Sequence, residues 1–241
     1  TGYEFIAMRS GAPYKVLKVP ADTTPQIRFT GNAEVKSTIT LTIEPDADVN
    51  WLTDMLSVVR VDNAERVPLG LFNITTCPRS LDENGSETQE LTGYDHGYAL
   101  RNLSVLERSL TIRAGTRYTT AIREQLLAAG INVVSIIDTN EVLMTDHAWE
   151  TGTTRYAVVS PLLAEINYRD IYFDGSGVAV AEPWAPASIN TRTHRYGPAE
   201  TTLLRIPMSV QADTFDAANV FVDIVSSADL DAELRAVAEN V

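Results

Sequence analysis

Apolar and polar residues alternate most regularly in residues 37–44, where threonines separate Ile39, Leu41 and Ile43. An alternation with a period of two predicts a β-strand with one face in a core, because successive side chains of a strand point to opposite faces. A shift of the strand by one residue would bury the threonines and expose the aliphatic side chains, so only one register buries the aliphatic side. We expect these three side chains to be buried. The threonines that should face outward are Thr38, Thr40 and Thr42.

Six further short runs of β-forming residues lie in the first hundred residues, separated by Gly, Pro, Asn and Asp. They cover residues 3–8, 14–19, 26–30, 57–61, 69–75 and 89–94. The dipeptide Asn84-Gly85 precedes the last run and predicts a loop tip that joins antiparallel strands. Several short strands punctuated by turns predict a small β-barrel or sandwich over residues 1 to about 100.

The pattern changes to helical spacing after residue 103. Apolar residues recur every three or four positions in residues 117–129, between Thr116, a candidate N-cap, and Gly130, a candidate stop. A second helix is predicted from the dipeptide Ser160-Pro161, because a cap residue followed by a first-turn proline is typical of helix starts.

A hairpin and a boundary follow the second helix. Residues 171–173 and 178–181 flank Asp174-Gly175-Ser176-Gly177, a turn-forming sequence between two strand-like runs. Two prolines around Trp184 then indicate a boundary between domains. We therefore expect residues 103–185 to form a small α+β unit.

The end of the chain predicts two strands and a helix. The strand-like runs cover residues 203–210 and 220–225. A helix is indicated after Ser227, where apolar residues recur at helical spacing, namely Leu230, Leu234 and Val237. Two strands and a helix cannot close a barrel, and the chain starts at Thr1 with neither an initiator Met nor a leader. We therefore expect an excised piece of a longer protein.

These elements together predict a mainly β protein with an α+β insertion. Residues 1–102 are expected to form a first β-barrel domain, residues 103–188 an α+β domain, and residues 189–241 an incomplete second β-barrel domain. The length of 241 residues agrees with more than one domain.

The net charge of -13, from 32 acidic and 19 basic residues, argues against binding to nucleic acid or to an anionic membrane surface. Both kinds of binding need clusters of Lys and Arg that neutralise phosphates. No apolar run approaches the roughly 18 residues that span a bilayer, so we expect no membrane association. The single cysteine, Cys77, excludes an internal disulfide framework and a cysteine-rich zinc site.

Two dipeptides, Asp95-His96 and Asp146-His147, are candidates for acid/base or metal chemistry, with His194 as a third imidazole. Adjacent residues of a strand point to opposite faces, so the dipeptide alone does not bring the two groups together. No spacing typical of a metal site, such as HExxH, is present. We interpret these residues as surface or capping residues that share no metal.

Other reactive patterns also have structural interpretations. Ser176 lies in the predicted hairpin turn and not in a GxSxG elbow. Cys77 lacks a Cys/His motif, and we expect it to be a small buried residue at a strand end. Asp170 and Asp174 lack the spacing of an EF-hand, and the glycines of the turn match no phosphate loop. The sequence therefore predicts no catalytic residue, no cofactor site and no metal site.

Aromatic residues are concentrated near the predicted hairpin. Tyr168, Tyr172, Phe173 and Trp184 would suit a sugar or peptide groove. We favour core packing of the hairpin against the second helix. The dipeptide Trp51-Leu52 follows an acidic stretch, and we interpret it as a helix start that packs on the barrel.

The order of these features resembles the N-terminal part of phage tail hub proteins, which occur in contractile tails and in prophage tail operons. The resemblance spans nearly the whole chain and rests on the alternating strand, an acidic turn and a series of short motifs. These are Pro68-Leu69-Gly70-Leu71-Phe72, Thr92-Gly93-Tyr94-Asp95, the helix before Gly130, Leu162-Leu163-Ala164-Glu165-Ile166-Asn167-Tyr168, and Tyr172-Phe173-Asp174 to Gly177.

In that family the hub is a homotrimer with two similar barrels in each subunit, so that a pseudo-sixfold ring meets the sixfold tail tube. The resemblance implies a structural component of the virion tail that is assembled in the cytoplasm of the bacterial host. The implied partners are the tail tube protein, spike or baseplate proteins and, in the full-length parent, the other subunits of a homotrimer. Each ring contact needs both barrels, so a piece with an incomplete second barrel is expected to be mostly monomeric.

The distribution of charge fits a ring around a DNA conduit. Nine basic and 14 acidic residues give -5 over residues 1–102, and 10 basic and 18 acidic residues give -8 over residues 103–241. An acidic lining lets DNA pass without adhering to it. Specific binding to nucleic acid is therefore not expected.

Two other functions stay open at this point. A tail-associated hydrolase would place the carboxylate of Asp95 or Asp146 within hydrogen-bond reach of an imidazole, in a cleft. A carbohydrate-binding module would arrange Tyr168, Tyr172 and Trp184 as one exposed aromatic platform.

Overall fold

The computed structural model describes residues 2–31, 33–63, 65–81, 85–185, 220–225 and 234–239. The chain divides into two compact units, Thr1–Pro186 and Ala187–Val241. The first unit contains a sheet lobe, built from the strands up to Tyr94, and a helical lobe, which covers residues 99–185.

Eight antiparallel strands form the sheet lobe, and together they confirm the mainly β class. They are β1 (Gly2–Arg9), β2 (Ala12–Val16), β3 (Gln26–Phe29), β4 (Ser37–Ile43), β5 (Met55–Asp62), β6 (Glu65–Thr76), β7 (Arg79–Leu81) and β8 (Glu87–Tyr94). The order across the sheet is β2-β1-β5-β6-β8-β4-β3, and β7 pairs with β8 beside this path. Every run predicted as a strand in this region overlaps one of these strands, although the run at residues 14–19 extends beyond the end of β2, and β7 was not predicted. The predicted loop tip at Asn84 lies outside the described residues.

The sheet encloses an apolar core but does not close into a barrel, so the prediction of a closed first barrel is wrong. The two ends of the strand order are β2 and β3, and no ladder joins them among the residues described. One backbone hydrogen bond, at 2.9 Å, runs from the N–H of Glu44, just after β4, to the carbonyl of Lys18, just after β2. The connection between β2 and β3 contains Pro20 and Pro25, which cannot donate to a ladder.

The alternation on β4 is confirmed. Ile39, Leu41 and Ile43 are at most 2% exposed, while the neighbouring threonines are exposed or half-buried. Phe72 on β6 and Leu91 on β8 are fully buried in the same cluster. The inner faces of β4, β6 and β8 therefore form one core.

The helical lobe has its own core around two helices, α1 (Tyr118–Ala128) and α2 (Arg155–Glu165). Five short strands accompany them: β9 (Leu110–Ile112), β10 (Val134–Ile136), β11 (His147–Trp149), β12 (Tyr172–Phe173) and β13 (Ala179–Ala181). Strand β13 pairs in parallel with β10 and antiparallel with β12, and β9 pairs with β11. A single π-helical turn, Ala99–Leu103, leads into this lobe. The predicted hairpin is confirmed as β12 and β13.

Both helices begin at residues other than those expected. The N-cap of α1 is Arg117, which makes no side-chain cap, so the prediction of Thr116 is wrong. Helix α2 begins after Thr154, whose hydroxyl accepts a hydrogen bond from the N–H of Ala157 at 3.3 Å. Pro161 lies inside α2, because Val158 and Val159 before it and Leu162 and Leu163 after it are buried in the core and outweigh the loss of one backbone bond. The predicted stop is confirmed, since Gly130 has φ of 83°.

The second unit contains an antiparallel pair, β14 (Val220–Val225) and β15 (Leu234–Glu239). Strand β14 was predicted, whereas the helical spacing through Leu234 and Val237 was misleading. The six-residue ladder between β14 and β15 satisfies the backbone as a strand, and spacing over so short a segment does not separate helix from strand. The strand predicted over residues 203–210 lies outside the described residues.

Candidate functional site

Asp95 is a buried carboxylate that directly follows β8 and organises the start of β4. One of its oxygens accepts hydrogen bonds from the N–H of Lys36 at 3.1 Å, the N–H of Ser37 at 2.7 Å and the Ser37 hydroxyl at 2.9 Å. Its other oxygen accepts from the N–H of Gly97 at 2.9 Å. Asp95 is only 3% exposed. Asp95 is therefore a capping residue, one of the two roles expected from the sequence, and it is buried instead of lying on the surface.

His96 lies between the two lobes. Its Nδ1 is 3.3 Å from Nδ2 of Asn73 on β6, and its ring meets the ring of Phe173 edge to face, with 5.6 Å between centroids. Burial lowers the pKa of His96 below its ordinary value, although the charge of Asp95 acts in the opposite direction. At neutral pH the imidazole is therefore an uncharged ring that packs between β6 and β12.

Lys36 connects the two lobes by an ion pair. Its Nζ donates to the carboxylate of Asp170 at 3.0 Å and to the carbonyls of Gly31 and Ala33 at 3.3 and 2.9 Å. The same Asp170 oxygen accepts a hydrogen bond from the hydroxyl of Tyr156 at 3.0 Å. The Lys36 side chain is 18% exposed, so this charge-assisted bond is partly shielded from water.

The turn of the β12–β13 hairpin fits closely against β6. A Cβ on Gly175 would lie 2.0 Å from the carbonyl oxygen of Pro68. Asp174 Oδ1 holds the turn by accepting hydrogen bonds from the N–H groups of Ser176 and Val178, each at 2.9 Å. The turn sequence thus supports a contact between the lobes and contains no phosphate loop.

These contacts define a junction between the lobes. Its pairs are Lys36–Asp170, Glu34–Arg101, His96–Phe173 and Gly175–Pro68. The Glu34–Arg101 pair is exposed and contributes little by itself, whereas the close backbone approach and the buried ring fix the relative position of the lobes. The arrangement positions structural elements and presents no reacting group. Sequence reasoning missed it because Lys36 and Asp170 are 134 residues apart and follow no local pattern.

The second dipeptide also forms no pair. Asp146 accepts hydrogen bonds from the N–H of Ala114 at 2.8 Å and from Arg113 at 2.6 Å, and these bonds hold the pKa of Asp146 below its usual value. His147 faces Glu165 instead, with Nδ1 3.6 Å from a carboxylate oxygen. That separation is too long for a hydrogen bond.

Glu165 is a carboxylate that sequence reasoning did not single out. The hydroxyl of Tyr118 donates to it at 2.6 Å. Burial of Tyr118 and this hydrogen bond raise the pKa of Tyr118 to about 12. Because Tyr118 starts α1 and Glu165 ends α2, the bond ties the two helices together.

Asp54 is a second buried carboxylate of the sheet lobe that sequence reasoning missed. Arg9 donates to its two oxygens at 2.9 and 2.7 Å, and the hydroxyl of Tyr14 and the N–H of Asn50 donate at 2.7 and 2.9 Å. The Arg9 hydrogen bond is the main reason why the pKa of Asp54 lies well below its usual value. Asp54 thereby fastens the turn before β5 to the β1–β2 hairpin.

Cys77 is exposed, so the prediction of a buried thiol is wrong. Strand β6 ends one residue earlier, and the chain then turns toward β7. The carbonyl of Cys77 accepts a hydrogen bond from the side chain of Gln89 at 3.1 Å. The backbone of Cys77 is therefore anchored while its side chain is directed to solvent.

The aromatic residues near the hairpin do not form one exposed platform. Tyr168 is 9% exposed, and its hydroxyl donates to the carbonyl of Ile137 at 2.8 Å. Phe173 packs against the core of the helical lobe, whereas Trp184 is 55% exposed. The arrangement that would favour a carbohydrate-binding module is therefore not formed by these residues.

The dipeptide Trp51-Leu52 lies in a turn, and the predicted helix start is wrong. Trp51 is 8% exposed and belongs to the core of the sheet lobe, whereas Leu52 is 93% exposed. The N–H of Asn50 is bonded to the Asp54 carboxylate, and the carbonyl of Asn50 accepts hydrogen bonds from the N–H groups of Thr53 and Asp54 at 3.0 and 2.8 Å. The segment therefore makes a single turn and continues into β5 at Met55 instead of extending into a helix.

Within the described ranges no group of three or more His, Cys, Asp or Glu residues could hold a metal ion. His194 lies outside those ranges. No helix in the described part of the chain is both long and apolar enough to cross a membrane.

Comparison with solved structures identifies a shared fold. The tail protein of Neisseria meningitidis MC58 matches with a TM-score of 0.62 and 14% identity, over 100% of this chain and 68% of that one. The 43 kDa tail protein of prophage MuSo2 from Shewanella oneidensis matches with a TM-score of 0.58 and 16% identity, over 98% of this chain and 69% of that one. No protein-family model and no curated sequence matches the chain. The chain therefore has the fold of phage tail proteins.

Proposed function

We propose that the protein is a structural hub of a phage or prophage tail, which joins the tail tube to the spike or baseplate. The observation that carries this proposal is the fold match, which extends over the whole chain and not over a single lobe. A match of this extent at such low identity transfers the architecture, and the specific position in the tail is our inference.

The junction between the lobes supports a structural role. The close fit of Gly175 against Pro68 and the Lys36–Asp170 ion pair hold the sheet lobe and the helical lobe as neighbours in a fixed arrangement. A hub has to keep its binding surfaces in register while other tail proteins assemble on it. A fixed arrangement of lobes serves that purpose.

We further propose that the protein acts without catalysis and that its longer parent chain is a homotrimer. The absence of enzymatic activity is supported by the separate environments of Asp146 and His147 and by the capping role of Asp95. The trimer is supported by the resemblance to tail hubs and by the need to match a sixfold tube with a threefold spike.

Electron microscopy of assembled tails with an antibody against this protein tests the position. We expect labelling at one end of the tail, where the tube meets the baseplate. Labelling along the whole tube would identify a tube subunit instead, and unlabelled tails would contradict a role in the virion. Light scattering on the longer parent chain tests the trimer independently, because a monomer would contradict it whatever the labelling shows.

A further inference from the structure

An apolar groove of about 520 Å³ opens beside β3, where the sheet lobe is not closed. Its floor is the inner face of β1, β5 and β6, and β3 forms a wall. The lining includes Tyr3, Phe5, Ile27, Phe29, Val58 and Leu69. Tyr3 is 59% exposed and Phe29 is 66% exposed. The apolar interior of the sheet is therefore accessible from solvent at this point.

Strand β3 has a free edge along this groove. The N–H of Thr30 donates to the carbonyl of Lys36 at 2.7 Å, so Thr30 bonds to the β4 side. Bonded residues alternate in an antiparallel ladder, which directs the N–H and C=O groups of Ile27 and Phe29 away from β4. No strand in the described residues pairs with that edge. Ile27 and Phe29, whose backbone groups point away from β4, are also the two residues of β3 that line the groove.

Arg60 lies at one end of the same face. It follows Val58 by two residues on β5 and stands opposite Tyr3 on β1, so its side chain shares the face of the groove. The Arg60 Nε is buried and has no hydrogen-bond partner. Buried polar atoms without a partner are uncommon, and the guanidinium group is well suited to bind a carboxylate.

We propose that this groove binds an extended segment of a partner polypeptide, which adds a strand to β3. Two apolar side chains of the segment, two residues apart, enter the groove, and a carboxylate further along the same face binds Arg60. Backbone bonds to Ile27 and Phe29 supply affinity and the groove selects side chains, as in other cases of strand addition. The inference goes beyond the hub proposal and does not depend on it, because it rests on the edge, the groove and the cation alone.

A strand accounts for all three features together. A fatty acid would use the apolar groove and Arg60 but would leave the edge of β3 unpaired. A flat contact with a second copy would leave the groove unfilled. An alternating segment that carries one carboxylate uses the edge, the groove and the charge.

Fluorescence polarisation with short synthetic peptides tests the proposal on the 241-residue chain. The probes are Val-Thr-Val-Thr-Glu and Glu-Thr-Val-Thr-Val, which offer the carboxylate at either end because the strand direction is open. We expect one of them to bind saturably. Methylation of its alternate backbone nitrogens that face β3 should weaken binding at least tenfold, and replacing its Glu by Gln should weaken binding several-fold.

Protein variants locate the site. Phe29→Ser and Arg60→Gln should each weaken binding of that peptide about tenfold, whereas Leu81→Ser, at a similarly exposed leucine, should leave it unchanged. Circular dichroism melting of each variant confirms that it is folded. The peptide in which Glu is replaced by Gln should bind the Arg60→Gln variant almost as well as it binds the unchanged protein, because the two changes remove the same contact.

Any one of four results would overturn the proposal. The first is that neither peptide binds at about 1 mM. A peptide binds but tolerates the backbone methylation, which would indicate a pocket without strand addition. Dodecanoate binds in a way that depends on Phe29 while the peptides do not, which would indicate a lipid site. Light scattering shows a dimer that Phe29→Ser abolishes, which would indicate a second copy as the occupant.

Discussion

The two lobes of the first unit are ordered by different means. Strands of up to 12 residues form the ladders of the sheet lobe, some of them with bulges, whereas the strands of the helical lobe have two or three residues each. Each lobe has its own apolar core. The burial of a long strand can therefore be predicted from its own sequence, whereas the position of a short strand depends on the helices and turns that pack around it.

The largest expected effect tests whether the inward face of β4 supports the sheet lobe. Leu41→Ala removes most of a side chain that is 2% exposed, so the free energy of unfolding should fall by about 2 to 5 kcal/mol. Chemical denaturation measures it. Leu81→Ala, at an exposed position, is the matched control and should change the free energy by less than about 0.5 kcal/mol. Equal midpoints for the two variants would contradict the assigned core.

A smaller effect is expected from the buried carboxylate that fastens the loop of the sheet lobe. Asp54→Asn weakens charge-assisted hydrogen bonds from Arg9 and Tyr14, which should cost about 1.5 to 3 kcal/mol. Asp48→Asn is the control, because the Asp48 side chain is 76% exposed. A loss as large in the control as at Asp54 would show that surface charge, and not the buried network, is responsible.

Acid titration sharpens the same comparison. The folded pKa of Asp54 lies below its unfolded value of 3.8, so its contribution is complete above that value and is lost as the pH falls below about 4. The free energy of unfolding should therefore decrease more steeply with acidification in the unchanged protein than in Asp54→Asn. Such a carboxyl titrates between about pH 5 and pH 2. Parallel curves of unfolding free energy for the two proteins over that range would contradict the role of Asp54.

The contact between the lobes should respond to a single added methyl group. Gly175→Ala places a Cβ against the backbone of Pro68, so the hairpin has to move at a cost of about 1 to 3 kcal/mol. The control is Gly31→Ala, where a Cβ meets open space, and its stability should change by less than about 1 kcal/mol. Thermal melting compares the two, and equal melting temperatures would mean that the turn does not bear on β6.

The smallest effect concerns the bond between the two helices. Tyr118→Phe removes the hydrogen bond to Glu165 and should cost about 0.5 to 1.5 kcal/mol at neutral pH. The pKa of Tyr118 is raised from 10.0 to about 12. Its contribution is therefore complete below pH 10 and is lost as the pH rises toward 12. Alkaline denaturation should be less steep in Tyr118→Phe than in Tyr3→Phe, and identical curves would contradict the prediction.

Local pattern was sufficient for seven of the eight strands of the sheet lobe, because an alternating run such as Ile39 to Ile43 has one buried face whatever its neighbours are. Local pattern failed where tertiary contacts determine the start of a helix or the packing of two elements. Thr154 caps α2 and leaves Pro161 inside the helix, although the sequence around the proline is typical of a start. The open edge of β3 and the junction depend on contacts between distant residues, which no local spacing encodes.

The exposed thiol of Cys77 offers a site for labelling the protein. Cys77 is the single cysteine of the chain and its thiol reaches solvent, while its carbonyl is held by Gln89. A maleimide reagent would therefore attach one heavy-atom or fluorescent reporter per chain, at a fixed place on the sheet lobe, without any substitution. Such a reporter would mark the position of the sheet lobe in any larger assembly that contains the protein. The same thiol calls for a reducing buffer during purification, since exposed thiols of two chains can oxidise to an intermolecular disulfide.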